Sequence, residues 1–126
     1  MAFIVDMPPA KWVGTEEDAI RLLERLPSWD LVGIDTETTG VDKFKDRIYY
    51  WSLANDEESY CLPHTLLHMF KSFIEDRSVE FANQNANFDA HMFANHGISY
   101  AGGVIAGNRN DPMVMHALYK DDDFQH

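Results

Sequence analysis

The stretch Trp29-Asp30-Leu31-Val32-Gly33-Ile34-Asp35-Thr36-Glu37-Thr38-Thr39-Gly40 passes from apolar to polar without a break. Its first half, Trp29 to Ile34, predicts a buried strand that runs straight into Asp35-Thr36-Glu37-Thr38, where the strand emerges into solvent. Strand side chains alternate faces, so positions 35 and 37 point the same way. Two carboxylates brought together need something cationic between them. A hard divalent metal suits the pair, since magnesium takes oxygen ligands in octahedral geometry and prefers a few carboxylates with water and substrate phosphate. The same two residues also read as solvated acids at a polar strand end, because D-x-E is a common pattern.

Outward from that stretch, the chain alternates element types. On the N-terminal side, after a short extended start, Thr15-Glu16-Glu17-Asp18 has the form of a capping box leading into Ala19 to Leu26. Ile20, Leu22, Leu23 and Leu26 fall at helical spacing, and the helix is expected to end before Pro27. On the C-terminal side, a strand is predicted over Arg47 to Ala54, a turn at Asn55-Asp56-Glu57, and a third strand over Ser59 to Leu62. These three strands make an antiparallel meander. Thr65 to Ile74 reads as a helix with Leu67, Phe70 and Ile74 on one side, Val79 to Ala82 as a short strand, and Phe88 to Ala94 as a helix stopped near Gly97. Gly102-Gly103 precedes the short apolar piece Val104-Ile105-Ala106, and Asp111-Pro112 suits the start of a last helix. The expected fold is α/β: a mixed sheet, the meander plus parallel strands, flanked by helices. With no internal repeat or linker, residues 1–126 are expected to form a single domain.

Composition narrows the class. An apolar share of 45% with 13% aromatic is ordinary for a globular chain, and 126 residues suffice for one compact unit burying about two thirds of its unfolded surface. No apolar run approaches the roughly 20 residues that span a bilayer, so no membrane partner is expected. The opening MAFIVDMPPAKW lacks the pattern of a secretory leader, which points to the cytoplasm. One cysteine, Cys61, excludes an internal disulfide and an all-cysteine zinc site, and its apolar neighbours read it as a small buried hydrophobe. The balance of 10 basic against 21 acidic residues, a net charge of −11, opposes phosphate binding by this chain alone. Bound divalent cations, or a basic partner surface, would offset it.

A second cluster adds weight to the carboxylate pair. In Ala82-Asn83-Gln84-Asn85-Ala86-Asn87-Phe88-Asp89 the chain leaves a short strand through an amide-rich turn and starts a helix, putting Asp89 near that helix's positive end. Asn85 lies four residues before Asp89, able to bring an amide near a substrate backbone, with Phe88 against the core. The plain alternative is a helix start with ordinary capping amides and a buried Phe88.

Together these residues resemble a known family. DTETTG at 35–40 looks like the first exonuclease motif of the DEDD superfamily, and NANFD at 85–89 looks like its second, N-x-x-F/Y-D. Asp111-Pro112-Met113-Val114-Met115-His116-Ala117-Leu118-Tyr119 is similar to the D-T-M-x-x-x-x-L-L helix that follows the second motif in the proofreading domains of family A DNA polymerases. The likeness covers about residues 30–120, with a phage or bacterial flavour. It implies a ribonuclease H-like fold and hydrolysis of single-stranded DNA 3′ ends to nucleoside 5′-monophosphates. Two divalent ions, Mg2+ or Mn2+, about 4 Å apart would serve it. It further implies Asp35, Glu37 and Asp89 as catalytic metal ligands. Thr38, Val41, Asn85 and Phe88 would contact substrate, Val41 as the wedge against a base. A DNA polymerase domain, in cis or in trans, is the implied partner.

The family also implies a fourth carboxylate from a third motif, normally well after the helix at 111–119, and the chain is expected to stop short of it. Tyr119 to Asp123 does satisfy Y-x-x-x-D and His116 to Asp121 satisfies H-x-x-x-x-D, which makes Asp121 and Asp123 candidates. A run of three acids meets almost any such spacing and reads equally as a solvated acidic end. His64 and His68 stand four apart as on a zinc helix, but Thr65 occupies the place of the expected glutamate, so a partly exposed helix face is the simpler reading. Trp12, Trp29 and Trp51 are expected at the core or its edge, with base stacking open to any that is exposed. Two further readings remain: a non-catalytic module that keeps the fold and binds nucleic acid or protein, and an RNA-directed exonuclease of the same superfamily.

Overall fold

The computed structural model describes residues 9–42 and 44–103. Among them, strands β1 (Lys11–Trp12), β2 (Val32–Thr38), β3 (Ile48–Ala54), β4 (Ser59–Pro63) and β5 (Phe81–Ala82) form one sheet in the order β1-β4-β3-β2-β5. The meander β2-β3-β4 is antiparallel as expected, while β1 lies parallel to β4 and β5 parallel to β2. Helices α1 (Glu16–Arg25), α2 (Lys71–Ile74) and α3 (Ala86–Asn95) accompany it, with 3-10 segments at Leu26–Ser28, His64–Phe70 and Ala101–Gly103.

Helix α1 begins where its cap predicts: Thr15 Oγ1 accepts from the Asp18 amide at 3.1 Å, and three acids in the first turn face the helix's positive end. Ala19 and Leu22 are buried, whereas Ile20 is 51% exposed and so lies off the core face. The α-helix stops at Arg25, and Leu26-Pro27-Ser28 tighten into 3-10 turns. Trp29 is therefore the exit of that turn. Strand β2 starts at Val32, later than the apolar run suggests, and continues through Asp35 and Glu37 to Thr38. The expected helix over residues 65–74 is 3-10 as far as Phe70, where a three-residue apolar step, Leu67-Phe70-Phe73, suits the three-fold turn. Val79 belongs to the turn held by Asp76, so β5 shrinks to Phe81–Ala82. The expected elements at Val104–Ala106 and 111–119 lie outside the described residues.

The core lies on one face of the sheet. Val32 and Ile34 of β2, Trp51 and Leu53 of β3, Leu62 of β4 and Phe81 of β5 pack there with Leu22 of α1 and Met92 and Phe93 of α3. Trp51 stands edge-on to Phe70, ring centres 5.0 Å apart, and its indole N–H donates to the Pro63 carbonyl at 3.1 Å. The opposite face carries small or polar residues, Gly33, Asp35, Glu37, Ser52, Ala54, Cys61 and Ala82, together with the rings of Tyr50 and Trp12.

Helix α3 ends in a left-handed residue, Gly97, with φ 76°. The Gly97 amide donates to the Ala94 carbonyl at 2.9 Å and the Ile98 amide to the Phe93 carbonyl at 3.0 Å, and Ile98 then packs in the core with Phe93. A Cβ at position 97 would meet nothing within 4 Å, so only backbone strain opposes a side chain there. Gly97→Ala should destabilise the fold by about 1 kcal/mol, measured as a lower urea midpoint at unchanged m-value. An unchanged midpoint would show that this turn is not under conformational constraint.

Candidate functional site

Pairing between β2 and β3 sets the site. Asp35 lies opposite Ser52, Thr36 opposite Trp51 and Glu37 opposite Tyr50; after Glu37 the register shifts, and Thr38 pairs with Ile48. Asp35 and Glu37, both half-buried, thus share the face away from the core, and Thr36 between them faces inward and is buried. The shift leaves Tyr49 as the extra residue of β3, a bulge of the kind that re-aims side chains beside functional sites.

Thr36 is where the second cluster arrives. Its hydroxyl donates to Asp89 Oδ1 at 2.6 Å, and Asn83 Nδ2 donates to Asp89 Oδ2 at 2.8 Å. Tyr100 completes the chain, its hydroxyl donating to Asn83 Oδ1 at 3.0 Å. Asp89 is only 2% exposed. Burial outweighs the two hydrogen bonds and pushes its pKa up from 3.8 to about 6, and burial likewise pushes the Tyr100 hydroxyl up. The sequence reading did not single out Thr36, Asn83 or Tyr100. A threonine at an inward position of an apolar strand is the trace it overlooked, since a buried hydroxyl requires a partner.

Asn85 caps α3, its Oδ1 accepting from the Phe88 amide at 3.2 Å, and Phe88 packs half-buried against the core. Thr38 Oγ1 donates to the Gly40 carbonyl at 2.5 Å, at the root of the loop over residues 39–47. That loop holds Val41 and Phe44, each 87% exposed. Its base is tied to the end of α3: Asn95 Nδ2 donates to the Asp46 carbonyl at 2.7 Å, and His96 Nε2 accepts from the Ile48 amide at 2.9 Å. His64 and His68 are exposed on the 3-10 segment. Asp121 and Asp123 lie outside the described residues, as does the helix expected at 111–119.

The donors available suit a hard divalent cation, being carboxylate oxygens, and Asp89 is a carboxylate whose ionised form a nearby cation would favour. Strand alternation separates them, however. Asp35 and Glu37 leave β2 on one side and Asp89 meets Thr36 on the other. Among the described residues no three His, Cys, Asp or Glu side chains gather into a ready cation site. The fit is one of donor chemistry and of neighbourhood along β2.

The sheet order, the meander and the acids on β2 define a ribonuclease H-like fold. Residues 10–121 match the family model described as 3′-5′ exonuclease, and the chain belongs to that family, within the DEDD superfamily. Solved structures agree on the fold. The chain resembles Escherichia coli RNase D, an exoribonuclease involved in structured RNA processing, at 15% identity and a TM-score of 0.59 over 70% of this chain and 24% of that one. Trypanosoma brucei RNase D in its GMP complex gives 18% identity and a TM-score of 0.66, over 81% and 34%. Pol1 from M. smegmatis, in complex with DNA primer-template and dNTP, gives 16% and 0.62, over 74% and 17%. The chain thus spans about a third or less of the length of each. No curated protein matches it.

The buried carboxylate makes a stability prediction. Because its folded pKa is raised, the folded state holds the proton more tightly than the unfolded chain. Its stabilising contribution is present below about pH 4 and is lost as pH climbs from 3.8 to about 6, a change of about 3 kcal/mol. Asp89→Asn removes the titration while Asn83 can turn its amide to pair with the new one. Thermal unfolding should therefore show the variant gaining stability on the parent between pH 4.5 and pH 7.5. Parallel pH profiles for the two proteins would refute the burial argument.

Proposed function

We propose that the chain forms the metal-binding part of a proofreading-type 3′-5′ exonuclease, releasing nucleoside 5′-monophosphates from single-stranded DNA 3′ ends. One observation carries the reading. Acids distant in sequence reach the same stretch of β2: Asp35 and Glu37 flank Thr36 in the chain, and Thr36 binds Asp89 directly. In this reading Asp35 and Glu37 hold divalent cations, Mg2+ or Mn2+, and Asp89 supports the second of two sites. When bound, such ions supply an activated water and stabilise the leaving 3′ oxygen. Asn85, at the exposed N-terminus of α3, contacts the strand backbone, Thr38 positions the terminal nucleotide, Phe88 backs it from the core side, and Val41 wedges against a base. The fourth carboxylate comes from a third motif, with Asp121 and Asp123 as candidates within residues 1–126 read as one domain.

The family match supports a polymerase setting, with a DNA polymerase domain as partner in cis or in trans; in this reading the chain works in a bacterial or phage-infected cytoplasm. Among the described residues no helix is long and apolar enough to cross a membrane. The RNase D likenesses favour a second reading, an RNA-directed exonuclease. Matched 3′-ends of DNA and RNA, offered with Mg2+ or Mn2+, separate the two. Asp35→Ala should lower the rate on the preferred end by at least roughly 100-fold, as loss of a main electrostatic stabiliser does. Turnover that survives this change would remove Asp35 from the chemistry, and absence of turnover on both ends would favour a non-catalytic module.

A further inference from the structure

Beside Glu37 the outer face of the sheet carries a partly exposed aromatic row. Tyr50, the register partner of Glu37, meets Trp12 edge-on with ring centres 5.7 Å apart, and on its other side meets Tyr49 at 4.5 Å. The His64 ring stands edge-on to Tyr49 at 6.3 Å, and its Nδ1 lies 3.2 Å from the Tyr49 carbonyl oxygen. Trp12 is 47% exposed and Tyr49 52%, although Trp51 one residue along β3 is fully buried. Neither ring hangs loose. The Trp12 indole lies so close over Gly14 that a Cβ there would come within 2.5 Å of Nε1, and the Tyr49 ring lies between those of Tyr50 and His64.

The surrounding charges say what such a surface is for. Four of the seven described lysines and arginines pair with the protein's own acids: Arg21 with Glu17 and Asp18, Arg25 with Glu58, Lys45 with Asp42 and Lys71 with Glu75. In a chain of net charge −11, affinity for a nucleic-acid strand has to come from its bases more than from its phosphates. The geometry points to Trp12, Tyr49 and Tyr50 as a stacking platform for bases of single-stranded nucleic acid, leading toward the carboxylate pair at Asp35 and Glu37. This rests on the exonuclease reading for what occupies the face, and its position as the immediate neighbour of Glu37 supplies the continuity with that site.

Binding is measured on the 126-residue chain in EDTA, so that neither metal nor hydrolysis contributes, with labelled (dT)12 and (U)12 as probes. The parent chain should bind, with tryptophan fluorescence quenched on addition of either oligomer, and Trp12→Phe should lose most of that quench. Trp12→Ala with Tyr49→Ala should weaken binding by about tenfold or more, while Trp12→Phe with Tyr49→Phe should stay within about threefold of the parent. Unaltered affinity in the alanine pair, or no binding by the parent, overturns the platform. Equal losses in the phenylalanine and alanine pairs would do the same, because they would report packing instead of stacking. Hydrolysis, followed separately with Asp35→Ala, keeps the two ideas apart: a catalytically silent chain that still stacks retains the platform and loses the nuclease reading.

Discussion

The arrangement around β2 depends on one buried carboxylate. Asp89 sits in the first turn of α3, almost without exposure, and among the described residues its carboxylate is held by the hydroxyl of Thr36 and the amide of Asn83. Leaving an ionised carboxylate in such a place without partners would cost several kcal/mol. Its two hydrogen bonds are therefore constraints on the backbone. Thr36 fixes α3 against the middle of β2, Asn83 fixes the turn after β5, and Tyr100 holds Asn83 from the segment that follows α3. Helix, strand and turn are brought into one register by polar contacts inside an otherwise apolar layer.

Those contacts leave the carboxylate dissatisfied as an anion, because burial still outweighs them and its pKa rises. A group held in this state stabilises the fold less than a neutral side chain of the same shape would. Retaining it makes physical sense if its charge is used, since perturbed carboxylates concentrate where chemistry is done. The same logic applies across the strand. Asp35 and Glu37 share a face by alternation, and two carboxylates brought together in this way on β2 repel each other unless a cation lies between them.

Much of this could be read from the chain. The acid pair announces itself because its spacing matches the strand period, and the meander follows from three apolar runs with Asn55-Asp56-Glu57 between two of them. The cap at Thr15 and the stop at Gly97 are local rules obeyed locally. What escaped depends on contacts between distant residues. Trp29 looks like strand because it is aromatic and adjoins an apolar run, but Pro27 had already committed the preceding residues to a 3-10 turn. That β1 pairs with β4, that β3 carries its extra residue at Tyr49, and that Asp89 lies on the Thr36 side of β2 all come from packing across tens of residues. Residue spacing within one segment carries no information about them.

The acidity of the chain looks different once the positions of its charges are known. Lysines and arginines on α1 and α2 are spent on neighbouring acids, and such exposed pairs contribute little to stability. They offer few free contacts for phosphate. The outer face of the sheet, in contrast, combines carboxylates suited to divalent cations with aromatic rings suited to bases. A strand held there would be gripped by stacking at some distance from its end and by cation-bridged phosphate at the end itself. Such a division needs no large basic surface. It would also make attraction strongest at the terminal phosphodiester, because only there would cations reverse the local sign of the field. An acidic exonuclease domain of this form would hold single strands loosely along their length and engage them mainly at the terminus.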